Sequence, residues 1–103
     1  MFSAEVIVEA ISDDHQLIEG RILSGTVRCG DVILRIEENF SKRDTIDTEQ
    51  YVNLQRVRIQ ILEIRFFGRA LKELDSPHNA IFKIENCQKI KLQKSTVLVL
   101  GKG

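Results

Sequence analysis

The fold is decided by one stretch of the chain, Gly20-Arg21-Ile22-Leu23-Ser24-Gly25-Thr26-Val27-Arg28-Cys29-Gly30-Asp31-Val32-Ile33. Its three glycines recur five residues apart, and only glycine takes a positive φ without a steric cost. The apolar residues between the glycines alternate with polar ones, which is the period of a β-strand. The stretch therefore predicts a strand, a tight turn and a second strand that begins at Gly30-Asp31.

Strand patterns continue on both sides of this stretch. Apolar residues follow strand spacing over residues 2–10, 17–23, 32–36, 57–66, 80–84 and 96–100. Gly20 inside its strand predicts a bulge or a close approach of another backbone, and the change of parity at Ile61-Leu62 predicts a β-bulge. Residues 69–74 fit a short helical turn. Six or seven short strands without a long helix predict an all-β fold, a small closed antiparallel β-barrel.

The chain has 103 residues, 43% of them hydrophobic, which predicts a single domain over residues 1–103. Residues 37–53 are polar and lack a clear period, so they predict a long loop that is either functional or mobile. Phe40 and Tyr51 in this loop are candidate contacts for a protein partner. Tyr51 alternatively belongs to the core of the following strand.

The formal net charge is zero, but the two halves of the chain differ. Residues 1–50 hold eleven acidic and five basic side chains, whereas residues 51–103 hold four acidic and ten basic ones. Such asymmetry can mark a site for an anionic partner. In a barrel, however, strands from both halves interleave, so the asymmetry need not produce a two-faced surface.

The sequence favours a cytoplasmic protein without a membrane role. Glu5 and Glu9 lie where a signal peptide would be apolar or basic, and no apolar run approaches the roughly 20 residues that span a bilayer. Two cysteines, Cys29 and Cys87, are too few for a disulfide scaffold, and both are expected to be buried or half-buried thiols.

Residues 15–33 resemble the second, β-barrel domain of translational GTPases such as elongation factor Tu. Gly20, Gly25 and Gly30-Asp31 stand where that family has its three spaced glycines and an acidic residue. The resemblance continues through residues 71–84 and 92–98. It implies the barrel domain alone, either as a stand-alone relative or as a fragment of a larger protein, and Met1 and the end of the sequence favour the first. No Gly-x-x-x-x-Gly-Lys-[Ser/Thr] phosphate loop is present, so we expect no nucleotide site and no cofactor.

The same resemblance implies a partner. In that family this domain docks on ribosomal RNA or on neighbouring domains, and in elongation factor Tu it also receives the aminoacylated end of transfer RNA. The family's acidic residue in the segment 71–79 falls on Glu73, which becomes a candidate ligand. Asp75 stands where the family has a basic residue, and Pro77 replaces a family glycine.

Catalysis has weak candidates. His15 and His78 lie in predicted turns, and either is a possible general base, although turn polarity explains both. With Cys29 and Cys87 they are also potential zinc ligands, but no Cys-x-x-Cys or His-x-x-x-His pair supports this. No nucleophile elbow is present. The sequence therefore predicts a protein that is not an enzyme.

A better candidate is nucleic-acid binding by the second half of the chain. Cations there would contact phosphates, and an exposed aromatic residue between them could stack on a base. The alternative is that Phe66 belongs to the core and that Glu63 and Glu73 pair with the arginines. Candidate RNA- or partner-binding residues are Arg56, Arg58, Arg65, Phe67, Arg69, Lys72 and Glu73.

These patterns predict a non-catalytic binding module that presents a surface to RNA or to a protein partner. The alternative is a protein-interaction or assembly module without a nucleic-acid role. The oligomeric state stays open.

Overall fold

The computed structural model describes residues 2–38, 54–86, 90 and 92–102. Within these residues all regular structure is β, in eight strands: β1 Phe2–Ile11, β2 Leu17–Arg28, β3 Val32–Glu38, β4 Leu54–Phe66, β5 Arg69–Leu71, β6 Glu73–Asp75, β7 Asn79–Glu85 and β8 Thr96–Gly101. Of the predicted loop, residues 37–38 belong to β3. Its remaining residues, including Phe40 and Tyr51, lie outside the described residues, as does Cys87.

Six of the strands close into an antiparallel barrel. Their order is β1-β8-β3-β4-β7-β2, and β2 pairs back to β1. The predicted all-β class and the closed antiparallel barrel are therefore confirmed. Closure gives every strand of the barrel two neighbours, so the backbone groups that an open sheet would expose at its edges are paired.

Two short strands extend the barrel at one end and were missed. β5 pairs with the last residues of β4, and β6 pairs with the last residues of β2. The prediction of a helical turn at residues 69–74 is therefore wrong. The apolar spacing of Ala70, Leu71 and Leu74 fits a helix, but pairing with longer strands overrides so short a local signal.

Alternating side chains from all six barrel strands fill the interior, and the inward parity changes where a register shift interrupts a strand, as between Ile61 and Ile64 of β4. Among the residues that the structure describes, Phe82 is the largest fully buried side chain, at 1% exposure. A core of β-branched and leucine residues surrounds it, because strand alternation sends every second residue inward. Representatives from each barrel strand are Val6, Ile22, Ile33, Ile59, Phe82 and Leu100.

The glycine stretch differs from the prediction in where its first strand ends. β2 does not end at Leu23 but continues to Arg28, so the strand is twelve residues long. Gly25, at φ +78°, lies inside it, where a Cβ atom would overlap the carbonyl oxygen of Ser3. Beyond Gly25 the strand stops pairing with β1 and pairs with β6. The tight turn follows at Cys29-Gly30, before β3.

Two further local predictions are confirmed. At Gly20 a Cβ atom would lie 2.7 Å from Cγ1 of Val6 and 2.8 Å from the carbonyl oxygen of Ile7, so β1 and β2 approach closely there. The pairing of β4 with β7 shifts register between Ile61 and Glu63, which is the predicted bulge.

Candidate functional site

The β4–β5 hairpin carries an aromatic residue in an unusual backbone conformation. Phe66 and Arg69 are the last paired residues, so Phe67 and Gly68 alone form the connection. Both have positive φ, at 52° and 78°, as in the type I′ turns that join two strands tightly. The first position of such a turn favours Asn, Asp or Gly, and a bulky residue there is sterically disfavoured.

Phe67 stands in solvent at the tip of this hairpin. Its exposure is 89%, twice that of the other exposed large apolar residues, which lie between 41% and 45%. Its ring meets the ring of Phe66 edge-on, with centroids 4.5 Å apart and planes at 65°. Phe66 in turn is half-buried and packs against the core. The exposed ring therefore contacts a neighbour that packs against the core.

His78 supports the other side of Phe66. The two rings meet edge-on with centroids 5.3 Å apart. Nδ1 of His78 lies 2.9 Å from the carbonyl oxygen of Asp75, and because a carbonyl only accepts, Nδ1 carries the proton. The carbonyl of His78 accepts a hydrogen bond of 3.0 Å from the backbone N–H of Ile22 in β2. The β6–β7 connection, which packs against Phe66 through His78, is thus hydrogen-bonded to β2.

Cations lie along the hairpin and at the neighbouring end of β2, and some of them are paired. Nε of Arg65 lies 3.3 Å from Oε2 of Glu63, and Nε of Arg28 lies 3.0 Å from Oε1 of Glu73. Exposed pairs of this kind are weak and yield readily to another anion. Arg69 and Lys72 are exposed and form no ion pair with any residue of the described ranges.

The structure separates the predicted site residues into two groups. Arg65, Phe67, Arg69, Lys72 and Glu73 lie on or next to the hairpin. Arg56 and Arg58 lie nearer the start of β4, where Arg56 is opposite Arg35 of β3. Seven residues of extended strand between positions 58 and 65 span about 23 Å. The seven predicted residues therefore do not form one continuous surface.

The alternative interpretation of this region is correct in part. Phe66 does pack against the core, and Glu63 pairs with Arg65. Glu73 pairs instead with Arg28, which the sequence analysis did not single out as a partner. The role of His78 behind Phe66 was also missed. No sequence pattern indicates it, because Phe66 ends β4 whereas His78 lies in the connection between β6 and β7.

The outer face of β2, β7 and β4 is a second surface that the sequence analysis overlooked. Ile81 of β7 lies between Glu19 and Arg65, and the neighbouring Lys83 lies between Leu17 and Glu63. Leu17, Ile81 and the bulge residue Leu62 are exposed at 42–45%. Strand parity alone places all but Leu62 outward.

His15 and Cys29 each form contacts with other segments of the chain. His15, in the β1–β2 loop, accepts a 3.4 Å hydrogen bond at Nδ1 from the N–H of Leu92, and its carbonyl accepts one from the buried Asn86. Cys29 is exposed, so the expectation of a buried or half-buried thiol is wrong for it. The thiol is exposed because the turn after β2 lies at the surface. Its Sγ lies 3.3 Å from the carbonyl oxygen of Leu71.

The described residues hold no group of three or more His, Cys, Asp or Glu side chains suited to a metal ion. In the same part of the chain, no helix is long and apolar enough to cross a membrane. No protein-family model matches the chain, and a comparison with curated protein sequences finds no match. The function must therefore be argued from the site itself.

Proposed function

We propose that this protein is a non-catalytic, cytosolic binding module that presents the end of its barrel around the β4–β5 hairpin to RNA. The observation that carries the proposal is the position of Phe67, exposed at 89% on the hairpin tip beside Arg69. The likeness of residues 15–33 to the barrel domain of translational GTPases agrees with an RNA partner, because that domain docks on RNA in the family.

The charges at this end of the barrel suit phosphate groups. Arg69 and Lys72 form no ion pair with a carboxylate among the described residues. The pair between Arg65 and Glu63 joins an exposed arginine, at 59%, to a half-buried glutamate, at 30%, so the guanidinium remains accessible to another anion. Two or three phosphate contacts follow, and each releases counterions that had condensed on the nucleic acid.

The proposal is tested by fluorescence anisotropy with labelled single-stranded RNA over a range of salt concentrations. For two or three phosphate contacts, log K should fall with log salt at a slope between about −1.4 and −2.1. Replacing Arg69 and Lys72 by Gln should remove most of this slope. The matched control replaces Arg56 and Arg58 by Gln, the same charge change farther along β4, and should have a smaller effect. No salt-dependent binding at micromolar protein would refute the proposal.

A second candidate function is a protein-interaction or assembly module. The observation that favours it is the outer face of β2, β7 and β4, where Leu17, Leu62 and Ile81 are exposed. Burying these side chains against another protein would remove apolar surface from water. For self-association, sedimentation velocity of the wild type and of Ile81→Lys is decisive: an assembly that depends on concentration and is lost in the variant supports this function.

A further inference from the structure

We infer that the tip of the β4–β5 hairpin is a stacking site for one unpaired nucleotide base, with Phe67 as its platform. This rests on the proposed RNA binding and adds which state of RNA is recognised and by which residue. Stacking on an aromatic side chain tolerates any base, because every base has a π face.

The first argument is that Phe67 gives the fold little in return for its conformation. Its φ of 52° lies in the left-handed region, where Asn and Gly are common and bulky residues are disfavoured. Its exposure of 89% leaves almost none of its surface removed from water. A residue that weakens its own turn and buries nothing is better explained by what it contacts outside the chain.

The second argument is the orientation of the ring. The ring of Phe67 meets the ring of Phe66 edge-on, with centroids 4.5 Å apart, and Phe66 packs against the core and meets His78 at 5.3 Å. An edge-on contact occupies little of the exposed ring, so a ring face remains for a planar group.

The third argument concerns which planar group fits. Arg69 follows Phe67 by two residues and is exposed without an ion pair in the described structure, so an anion beside the planar group is favoured. A nucleotide joins these two features. In a duplex both faces of a base are covered by its neighbours, whereas an unpaired base offers one, and a single exposed ring accommodates a single base.

The test compares three proteins on two RNAs by anisotropy: wild type, Phe67→Tyr and Phe67→Asn, each with a single strand and with a long duplex of the same composition. The wild type should favour the single strand. Phe67→Asn should weaken single-strand binding by about 5- to 100-fold, as expected for the loss of one stacked base. Its salt slope should not change, because no charge is removed. Phe67→Tyr should keep the affinity.

The Phe67→Asn variant is also protected against a folding artefact, because Asn-Gly is a preferred type I′ turn and should not lower thermal stability. A 2-aminopurine base in the single strand reports stacking directly, and wild-type protein should change its fluorescence while Phe67→Asn should not.

The outcomes separate the inference from the proposal on which it rests. If RNA binds with the expected salt slope but Phe67→Asn binds equally well, or the duplex binds as tightly as the single strand, the stacking inference is wrong and RNA binding stands. If neither RNA binds, both are wrong. Binding to vesicles of anionic phospholipid that depends on Phe67, without RNA binding, would overturn both and identify the tip as a membrane contact.

Discussion

At the scale of single residues, two glycines with positive φ have different reasons to be glycine. Gly25, at φ +78°, lies where a Cβ atom would overlap the backbone of Ser3 in β1. Gly30, at φ +96°, has open space where its Cβ would be. Backbone conformation therefore requires glycine at both positions, and the close approach of two strands requires it only at Gly25.

Replacing each glycine by alanine separates these two causes. Gly30→Ala should lower the free energy of unfolding by about 1–2 kcal/mol, the cost of a Cβ in a left-handed conformation. Gly25→Ala should cost more, about 3 kcal/mol or above, because β1 must also move away from β2. Urea unfolding followed by circular dichroism measures both. Equal losses would show that the contact with Ser3 has no influence.

At the scale of elements, Asn86 joins parts of the chain that are distant in sequence. It is 1% exposed and follows β7 directly. Its Nδ2 donates to the carbonyls of His15 and Ile90, each at 3.0 Å, and its Oδ1 accepts from the N–H of Ile90. The side chain of Gln16 forms two hydrogen bonds with the backbone of Asn86: its Nε2 donates to the carbonyl, and its Oε1 accepts from the N–H. The β1–β2 loop is thus attached to the end of β7.

Asn86→Ala should therefore destabilise the protein by about 2–4 kcal/mol, because two partly buried backbone carbonyls and one N–H lose their partners together. Asn79→Ala is the matched control: Asn79 is exposed on β7 and donates one hydrogen bond, to the side chain of Glu9. It should cost less than about 0.5 kcal/mol. Chemical denaturation of both variants checks the difference, and comparable losses would contradict the role given to Asn86.

Element by element, the sequence predicts what depends on period and glycine. Alternation in residues 80–84 and 96–100 places β7 and β8, and the shift at Ile61-Leu62 places the bulge in β4. The sequence does not predict β5 and β6, because strands of three residues are too short to show a period and form only by pairing with β4 and β2. The same holds for the candidate site. Phe67 and Arg69 are predictable because they lie two residues apart in the sequence, whereas the contact of His78 with Phe66 forms only in the folded chain.

At the scale of the whole molecule, barrel closure places strands of the acidic half of the sequence beside strands of the basic half. The strands of the acidic half, β1, β2 and β3, each pair with at least one strand of the basic half. β3 lies between β8 and β4, and β2 lies beside β7. Opposite charges are therefore distributed around the wall. The binding proposal consequently depends on the hairpin end, where individual cations and one ring project together, and not on the net charge of a half.

Closure also makes the core a shared property of all six barrel strands, so we expect the molecule to unfold as one unit. Phe82 of β7 and Leu100 of β8 are both at most 1% exposed in the same core. Phe82→Ala should cost about 3–5 kcal/mol and Leu100→Ala about 2–5 kcal/mol, a large part of the total stability of a small domain. Ile81→Ala, next to Phe82 but exposed at 43%, should cost less than about 1 kcal/mol.

In urea, both core variants should shift the midpoint of a single transition without changing its slope, because neither β7 nor β8 can leave the barrel alone without opening it. A second transition in either variant would show that part of the barrel unfolds independently.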